Sequence, residues 1–250
     1  MRYFICFSYF GKHYHGWQKQ PNAITVQEVL EDALSKLLGK TIDVMGAGRT
    51  DAGVHAKQMY AHFDFTEIED THNLVFRLNA FLPKDIAVEN VFQVADEAHA
   101  RFDAVSRTYE YWIIQKKNPF YAQQAYLVKY PLAIDKMNEA AKLLLDCKDF
   151  ECFSKSNTDV NTFLCDIKEA HWEYVNDVLV FKITADRFLR NMVRAIVGTL
   201  LEVGLGKMDL GTVKAILKSK DRRNAGASAP AKGLYLTKVL YPQNIVKTHG

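Results

Sequence analysis

Residues 3–10 alternate without a polar face: Tyr3, Ile5, Phe7 and Tyr9 point one way, and Phe4, Cys6 and Phe10 the other. A strand of this kind suits the middle of a sheet covered on both sides, or a place beneath a substrate. Helices later in the chain can supply the covering layers. Thr25-Val-Gln-Glu28 reads as a capping box. Behind it Val26, Val29, Leu30, Ala33, Leu34, Leu37 and Leu38 recur at spacings of three and four, and Gly39 ends the helix. Short strands are expected over 41–47 and 59–65, a helix over 73–82 that stops before Pro83, and a strand over 87–94.

The second half repeats this grammar loosely. A strand is expected over 108–115, a loop over 116–124, a short strand over 126–129, and a helix capped by Asp135 and running to about 146. Asn176-Asp177 between two alternating runs predicts a hairpin over 166–184. A long helix over 188–203 comes next, then a shorter one over 210–218 and a last strand over 234–240. Strands and helices interleave without the regular alternation of a doubly wound fold, so the class is α+β with a mainly antiparallel sheet flanked by helices. The expected halves are 1–105 and 106–250, with no Pro/Gly-rich linker between them, so they are expected to share one sheet.

Composition removes several function classes. The 250 residues are 48% hydrophobic and 24% charged, which excludes a disordered chain. Four cysteines do not make a disulfide framework, and Cys147, Cys152, Cys165 and His171 lack the spacing of a zinc site; no metal is expected. The run 3–10 is too short to span a bilayer and 188–203 carries Arg190, Arg194 and Glu202. No membrane association is expected, and the expected location is cytoplasmic. A net charge of +3 means that any nucleic-acid surface depends on clustering. Candidates are Arg187, Arg190 and Arg194 along the long helix, with Lys12, Lys19, Arg101, Arg107, Lys116, Lys117, Arg222 and Arg223 elsewhere, while His13 and His15 flank Tyr14 in the first loop.

The most unusual segment is Gly46-Ala-Gly-Arg-Thr-Asp-Ala-Gly-Val-His-Ala56. Its small residues allow a sharp turn and a close ligand approach, and Arg49 and Asp51 place a cation and a carboxylate at the tip. Two readings stand on these residues alone: an exposed Asp nucleophile or base beside a cation that keeps it ionised, or a surface turn with an ordinary ion pair. The segment lacks the third glycine of a dinucleotide fingerprint and any Gly-Lys-Ser/Thr.

Gly48-Arg-Thr-Asp-Ala-Gly-Val-His-Ala56 resembles the signature of the TruA-type tRNA pseudouridine synthases. Gly16-Trp-Gln, Val26-Gln-Glu, Leu78-Asn-Ala-Phe-Leu-Pro83, Ala98-His-Ala-Arg-Phe102 and Arg107-Thr-Tyr109 with Tyr111 agree in order, as do Met192-Val-Arg-x-Ile-Val-Gly198 and Ala229-Pro-Ala-Lys-Gly-Leu-Tyr-Leu236. The resemblance implies two ferredoxin-like halves sharing a central sheet, with the active site in a cleft between them. It implies that Asp51 is the nucleophilic carboxylate, that Tyr109 lies against the target uracil, and that Arg49 holds the opened nucleotide. Arg194 would pair with the Asp51 carboxylate and Leu234 would line the uracil pocket. It further implies a homodimer that isomerises uridine to pseudouridine at positions 38, 39 and 40 of the tRNA anticodon stem-loop. Uridine and pseudouridine are isomers, so no cofactor is expected. Two other classes compete: an RNA-binding module without chemistry, and a nucleoside hydrolase, which would want a second positioned carboxylate or a metal.

Overall fold

The doubly apolar segment becomes strand β1 (Arg2–Tyr9), in which Tyr3, Phe4, Ile5, Cys6 and Phe7 are all buried. It lies antiparallel between β3 (His55–Asp64) and β4 (Ile86–Val94). Because successive residues point to opposite faces, their burial means that both faces are covered, as the lack of a polar face requires. The computed structural model of the chain describes residues 1–155 and 161–246. Those residues form nine strands, paired mostly antiparallel, and five α-helices, an α+β fold. They divide into two units: residues 1–105 with the segment from Leu236 onward, and residues 106–235.

In unit 1, helix α1 (Val26–Leu38) begins where Thr25 Oγ1 accepts the Glu28 amide at 3.3 Å and ends at Gly39, whose φ of 69° is the left-handed cap a glycine adopts freely. Helix α2 (Thr71–Phe81) is capped by Asp70, which accepts the Asn73 amide, and turns extended at Leu82 before Pro83. Asn79 fastens α2 to β4 by bonding both the N–H and the C=O of Val88, at 2.7 and 2.8 Å. The strand order is β4-β1-β3, with β2 (Met45–Gly46) on the far side of β3.

The strand expected over 41–47 is reduced to those two residues. Its cause lies in α1: Ser35 Oγ accepts the Ile42 amide, Glu31 Oε1 accepts the Val44 amide, and Gln27 Nε2 donates to the Val44 carbonyl. Helix side chains take the backbone groups that a ladder would have used.

Unit 2 contains β5 (Ser106–Ile114), β6 (Tyr126–Leu127), α3 (Ile134–Lys142), β7 (Ile167–Val175), β8 (Val178–Ala185), α4 (Met192–Gly204) and α5 (Leu210–Ser219). The order is β5-β8-β7, with β6 parallel to β5. Asn176 has φ of 54°, as the expected two-residue hairpin requires. β9 (Leu234–Leu240) matches its expected bounds; from Leu236 onward it belongs to unit 1, where its Val239 amide donates to Gln58 Oε1.

Two helix starts differ from expectation. Ala133, not Asp135, is the N-cap residue of α3, and Asp135 sits in the first turn, where its charge suits the helix dipole. α4 starts at Met192, because Asn191 has φ of 66°, which no helix can pass through. Arg187 and Arg190 therefore precede the helix and do not share its face with Arg194. Asp186 Oδ1 accepts the amides of Asp166 and Arg187, both at 2.7 Å, and holds the turn that replaces the missing helical residues.

Candidate active site

The Gly46–Ala56 segment is held by the loop that comes after β1. The Trp17 amide donates to the Thr50 carbonyl at 3.3 Å, the Gly53 amide to the Tyr14 carbonyl at 3.2 Å, and the Val54 amide to the Asp51 carbonyl at 3.1 Å. The Tyr9 hydroxyl and Thr50 Oγ1 are 2.8 Å apart. Gly16, at φ 88°, permits this approach: a Cβ there would collide with the Thr50 carbonyl oxygen and lie 3.1 Å from the Asp51 carbonyl carbon. A Cβ at Gly11 would strike the Val54 carbonyl in the same way. Backbone hydrogen bonds thus fix the chain on both sides of Asp51, which is half-buried, while Arg49 is exposed.

The supporting loop is anchored in turn. Asp85 accepts the Tyr14 hydroxyl at 2.5 Å, and its backbone carbonyl accepts the Phe10 amide at 2.8 Å. Burial first, and then the Asp85 carboxylate, push the Tyr14 phenol well above its ordinary pKa, so it stays a donor. His13 faces the same carboxylate at 3.3 Å. His55, buried, accepts the Gly11 amide on Nδ1 at 2.9 Å, which puts its proton on Nε2, and its ring stacks on Phe10 at 4.2 Å. Nothing in the sequence separated this buried acceptor from a reactive histidine except its place in the motif.

In unit 2, Tyr109 stands on β5 opposite Ile183, its ring perpendicular to that of Phe188 at 5.1 Å. Tyr111, two residues on and so on the same face, is fully buried and donates to the Pro230 carbonyl at 2.8 Å. Burial raises its pKa, and the Arg194 charge pulls it down. Arg194 is clasped twice to one residue: its Nε donates to the Ala229 carbonyl at 2.7 Å, and its own carbonyl accepts the Ala229 amide at 2.9 Å.

The clasp depends on Gly198, because a Cβ there would overlap the Ala227 carbonyl, and on Gly226, whose Cβ would lie 2.9 Å from the Thr199 backbone. Thr199 Oγ1 accepts the Gly226 amide at 2.9 Å. Gly233 meets the Tyr111 ring in the same close fashion, and Leu234, buried, is the next residue. Tyr109, Arg194 and Leu234 are thereby linked within unit 2 through Tyr111, to which the residue pattern alone gave no part. Arg222 proves structural: it donates to the Ala225 and Gly226 carbonyls and to Ser228 Oγ. Arg223 is paired with Asp221 and Lys19 with Glu31.

A family model described as tRNA pseudouridine synthase matches residues 5–103 and 140–242. The chain belongs to this family. The tRNA pseudouridine synthase A of Parabacteroides distasonis is 51% identical over 98% of this chain and 97% of its own length. That of Bacteroides fragilis is 52% identical over 98% of both. The enzyme of the same name from Thermoanaerobacter sp. is 42% identical over 95% of this chain and 98% of its own. The chain is therefore an isomerase that converts uridine to pseudouridine in tRNA. Among the described residues no helix is long and apolar enough to cross a membrane.

Proposed function

We propose that the chain modifies positions 38, 39 and 40 of the tRNA anticodon stem-loop, with Asp51 as the nucleophile on a flipped-out uridine. One observation carries this reading: Asp51 is the sole carboxylate of the Gly46–Ala56 segment, half-buried on a turn whose backbone is fixed on both sides. The reaction breaks the C1′–N1 bond, turns the base and joins C1′ to C5; C5 loses a proton and N1 gains one, so atoms balance without a co-reactant. Asp51 attacks C1′ or assists the loss and return of the base. Extruding the uridine costs a few kcal/mol, which Arg49 offsets by holding the opened nucleotide.

Tyr109 offers the uracil a ring face and a hydroxyl able to carry the C5 proton. Arg194 pairs with the Asp51 carboxylate; its Nε bond to Ala229 fixes the plane of the guanidinium, which supports that role. Leu234 lines the uracil pocket. The order of elements in unit 1, β1-α1-β2-β3-α2-β4, is that of a ferredoxin-like unit and supports that reading. Unit 2 runs β5-β6-α3-β7-β8-α4-α5 and shares the strand-helix-hairpin-helix part of it, with β6 and α5 added. The active species is a cytoplasmic homodimer.

The decisive experiment is incubation with unmodified tRNA and then pseudouridine mapping, where modification is expected at 38, 39 and 40. Pseudouridine only at other positions would overturn the site assignment. Sedimentation is expected to give twice the 28.5 kDa of one chain, and a monomer would remove the dimer.

A further inference from the structure

We propose that the end of unit 2 where β5 and β6 finish is a second tRNA-docking surface, on which Phe120 stacks against a nucleobase while Lys116, Lys117 and Lys129 hold neighbouring phosphates. The proposal rests on tRNA being the substrate and adds a contact to a nucleotide other than the reacting uridine.

Parallel pairing creates the surface. Ile113 and Ile114 of β5 pair with Tyr126 and Leu127 of β6, and the Val128 amide donates to the Ile114 carbonyl at 2.9 Å. Both strands run the same way, so the chain leaves both at the same end. There Gln115 Nε2 donates to the Tyr130 carbonyl at 3.2 Å, tying the two exits together. Lys116 and Lys117 lie just past one exit and Lys129 past the other, all exposed. Residues 111–134 contain these three lysines and no Asp or Glu, although the chain holds 29 acidic residues. A net charge of +3 for the whole chain makes such a segment a natural place for a polyanion.

The tip between the exits is braced by hydrogen bonds. Asn118 Oδ1 accepts the Phe120 amide at 3.0 Å, and the Tyr121 carbonyl accepts the amides of Gln124 and Ala125, both at 3.0 Å. Lys232 Nζ donates to the Ala122 carbonyl and the Tyr235 hydroxyl to the Gln124 carbonyl. Tyr121 packs on Ile114, Ala125, Val178 and Val180, yet its neighbour Phe120 is 82% exposed, more than any other large hydrophobic among the described residues. Tyr130 is 71% exposed. A braced backbone that holds one ring in water is already ordered for a flat partner.

Of its exposed chain neighbours, Gln123 and Gln124 are polar and Pro119 and Ala122 are small, so Phe120 is a single large ring rather than the centre of an apolar protein-docking patch. A base flanked by phosphates matches one ring flanked by lysines.

The test measures the affinity of the full chain for unmodified tRNA across a salt series. Phe120→Ala is expected to weaken binding about ten-fold, the size of one lost stacked base, with the salt slope unchanged. Phe120→Trp should restore affinity. Changing Lys116, Lys117 and Lys129 together to Ala should lower the slope of log affinity against log salt by about two. The side chains are exposed, so equal thermal midpoints are expected and check that each variant folds.

The proposal is overturned if Phe120→Ala binds within two-fold of wild type. It is also overturned if that variant loses dimer mass in sedimentation but keeps its tRNA affinity, which would assign Phe120 to a contact between copies. Wild-type protein that fails to bind tRNA would instead sink the substrate reading itself.

Discussion

After its first helix, each unit builds a different structure at the same point in its order of elements. Unit 2 leaves α3 and makes a full hairpin, β7 and β8, joined by Asn176-Asp177. Unit 1 leaves α1, makes only Met45–Gly46, and runs residues 47–54 as a loop before β3. The sequences explain the divergence. Ile167, Ala170 and Trp172 give β7 large side chains to bury, whereas Gly46-Ala-Gly48 and Ala52-Gly53 have nothing to pack, and Glu31 and Ser35 have already claimed nearby amides. A strand residue must face the core or the solvent, with its backbone spent on the ladder. Giving up the strand lets a carboxylate project from a turn while the loop around Gly11, Gly16 and Trp17 fixes its backbone. The candidate nucleophile occupies the place where regular structure is missing.

One isosteric change, made in both units, puts this contrast at greatest risk. Asp51→Asn is expected to cut single-turnover pseudouridine formation by about 10⁴-fold or more, with little change in the thermal midpoint. Asp177→Asn, in the hairpin turn of unit 2, should leave the rate unchanged. An Asp51→Asn protein that keeps a tenth of the wild-type rate would remove Asp51 from the nucleophile role. Next in size is Tyr109→Phe, expected to bind tRNA within about two-fold of wild type yet turn over about 10²-fold more slowly, since the ring survives and the hydroxyl does not. Unchanged turnover would reduce Tyr109 to a packing partner of Phe188.

Much of this was legible in the residues. Periodicity located α1, α2 and α5, and Thr25 and Asn176 marked the start of α1 and the β7–β8 hairpin, because these signals are local. The structure adds Asp70 and Asp209 as caps that also act within three residues of themselves. What the residues did not reveal depends on partners distant in sequence. Residues 41–47 alternate well enough for a strand, and only the folded α1 shows that its side chains take their amides. The run 188–203 reads as one helix, and only the left-handed Asn191 divides it. The signature identified the Asp51 turn, but Gly16, Gly198 and His55 act through close backbone approaches that no spacing rule encodes. Arg222 looked like any exposed cation until the fold supplied its three acceptors.

A smaller effect tests the cradle rather than the carboxylate. Gly16 and Gly39 both have positive φ, at 88° and 69°, but a Cβ at Gly39 meets open space. Gly16→Ala must displace the Thr50 carbonyl, so a loss of about 2–3 kcal/mol and roughly ten-fold in rate is expected. Gly39→Ala bears only the backbone strain, about 1 kcal/mol, with the rate unchanged. Chemical denaturation and single-turnover kinetics on both variants check this. Equal rate losses would mean that general destabilisation, and not the placement of Asp51, is what the rate reports.

The smallest expected effect separates the units by their buried polar groups. Unit 1 buries His55 and His62, whereas those buried in unit 2 among the described residues are Ser106, Thr108, Ser154 and Thr199, none of which takes up a proton in mild acid. His62 accepts the Ala100 amide on Nδ1 at 3.1 Å, which requires an unprotonated nitrogen. Burial, then the Arg2 charge and then His99, lower its pKa from 6.5 to about 4. The unfolded chain therefore takes up this proton as the pH falls through 6.5, while the folded chain resists until about 4. Between those values the unfolded state binds more protons, so His62 makes no pH-dependent demand above 6.5 and costs stability progressively down to 4. The wild-type thermal midpoint should drop by a few degrees more between about pH 7 and about pH 4.5 than that of His62→Gln, which keeps an acceptor but cannot titrate. Parallel curves for the two proteins would move the acid sensitivity away from His62.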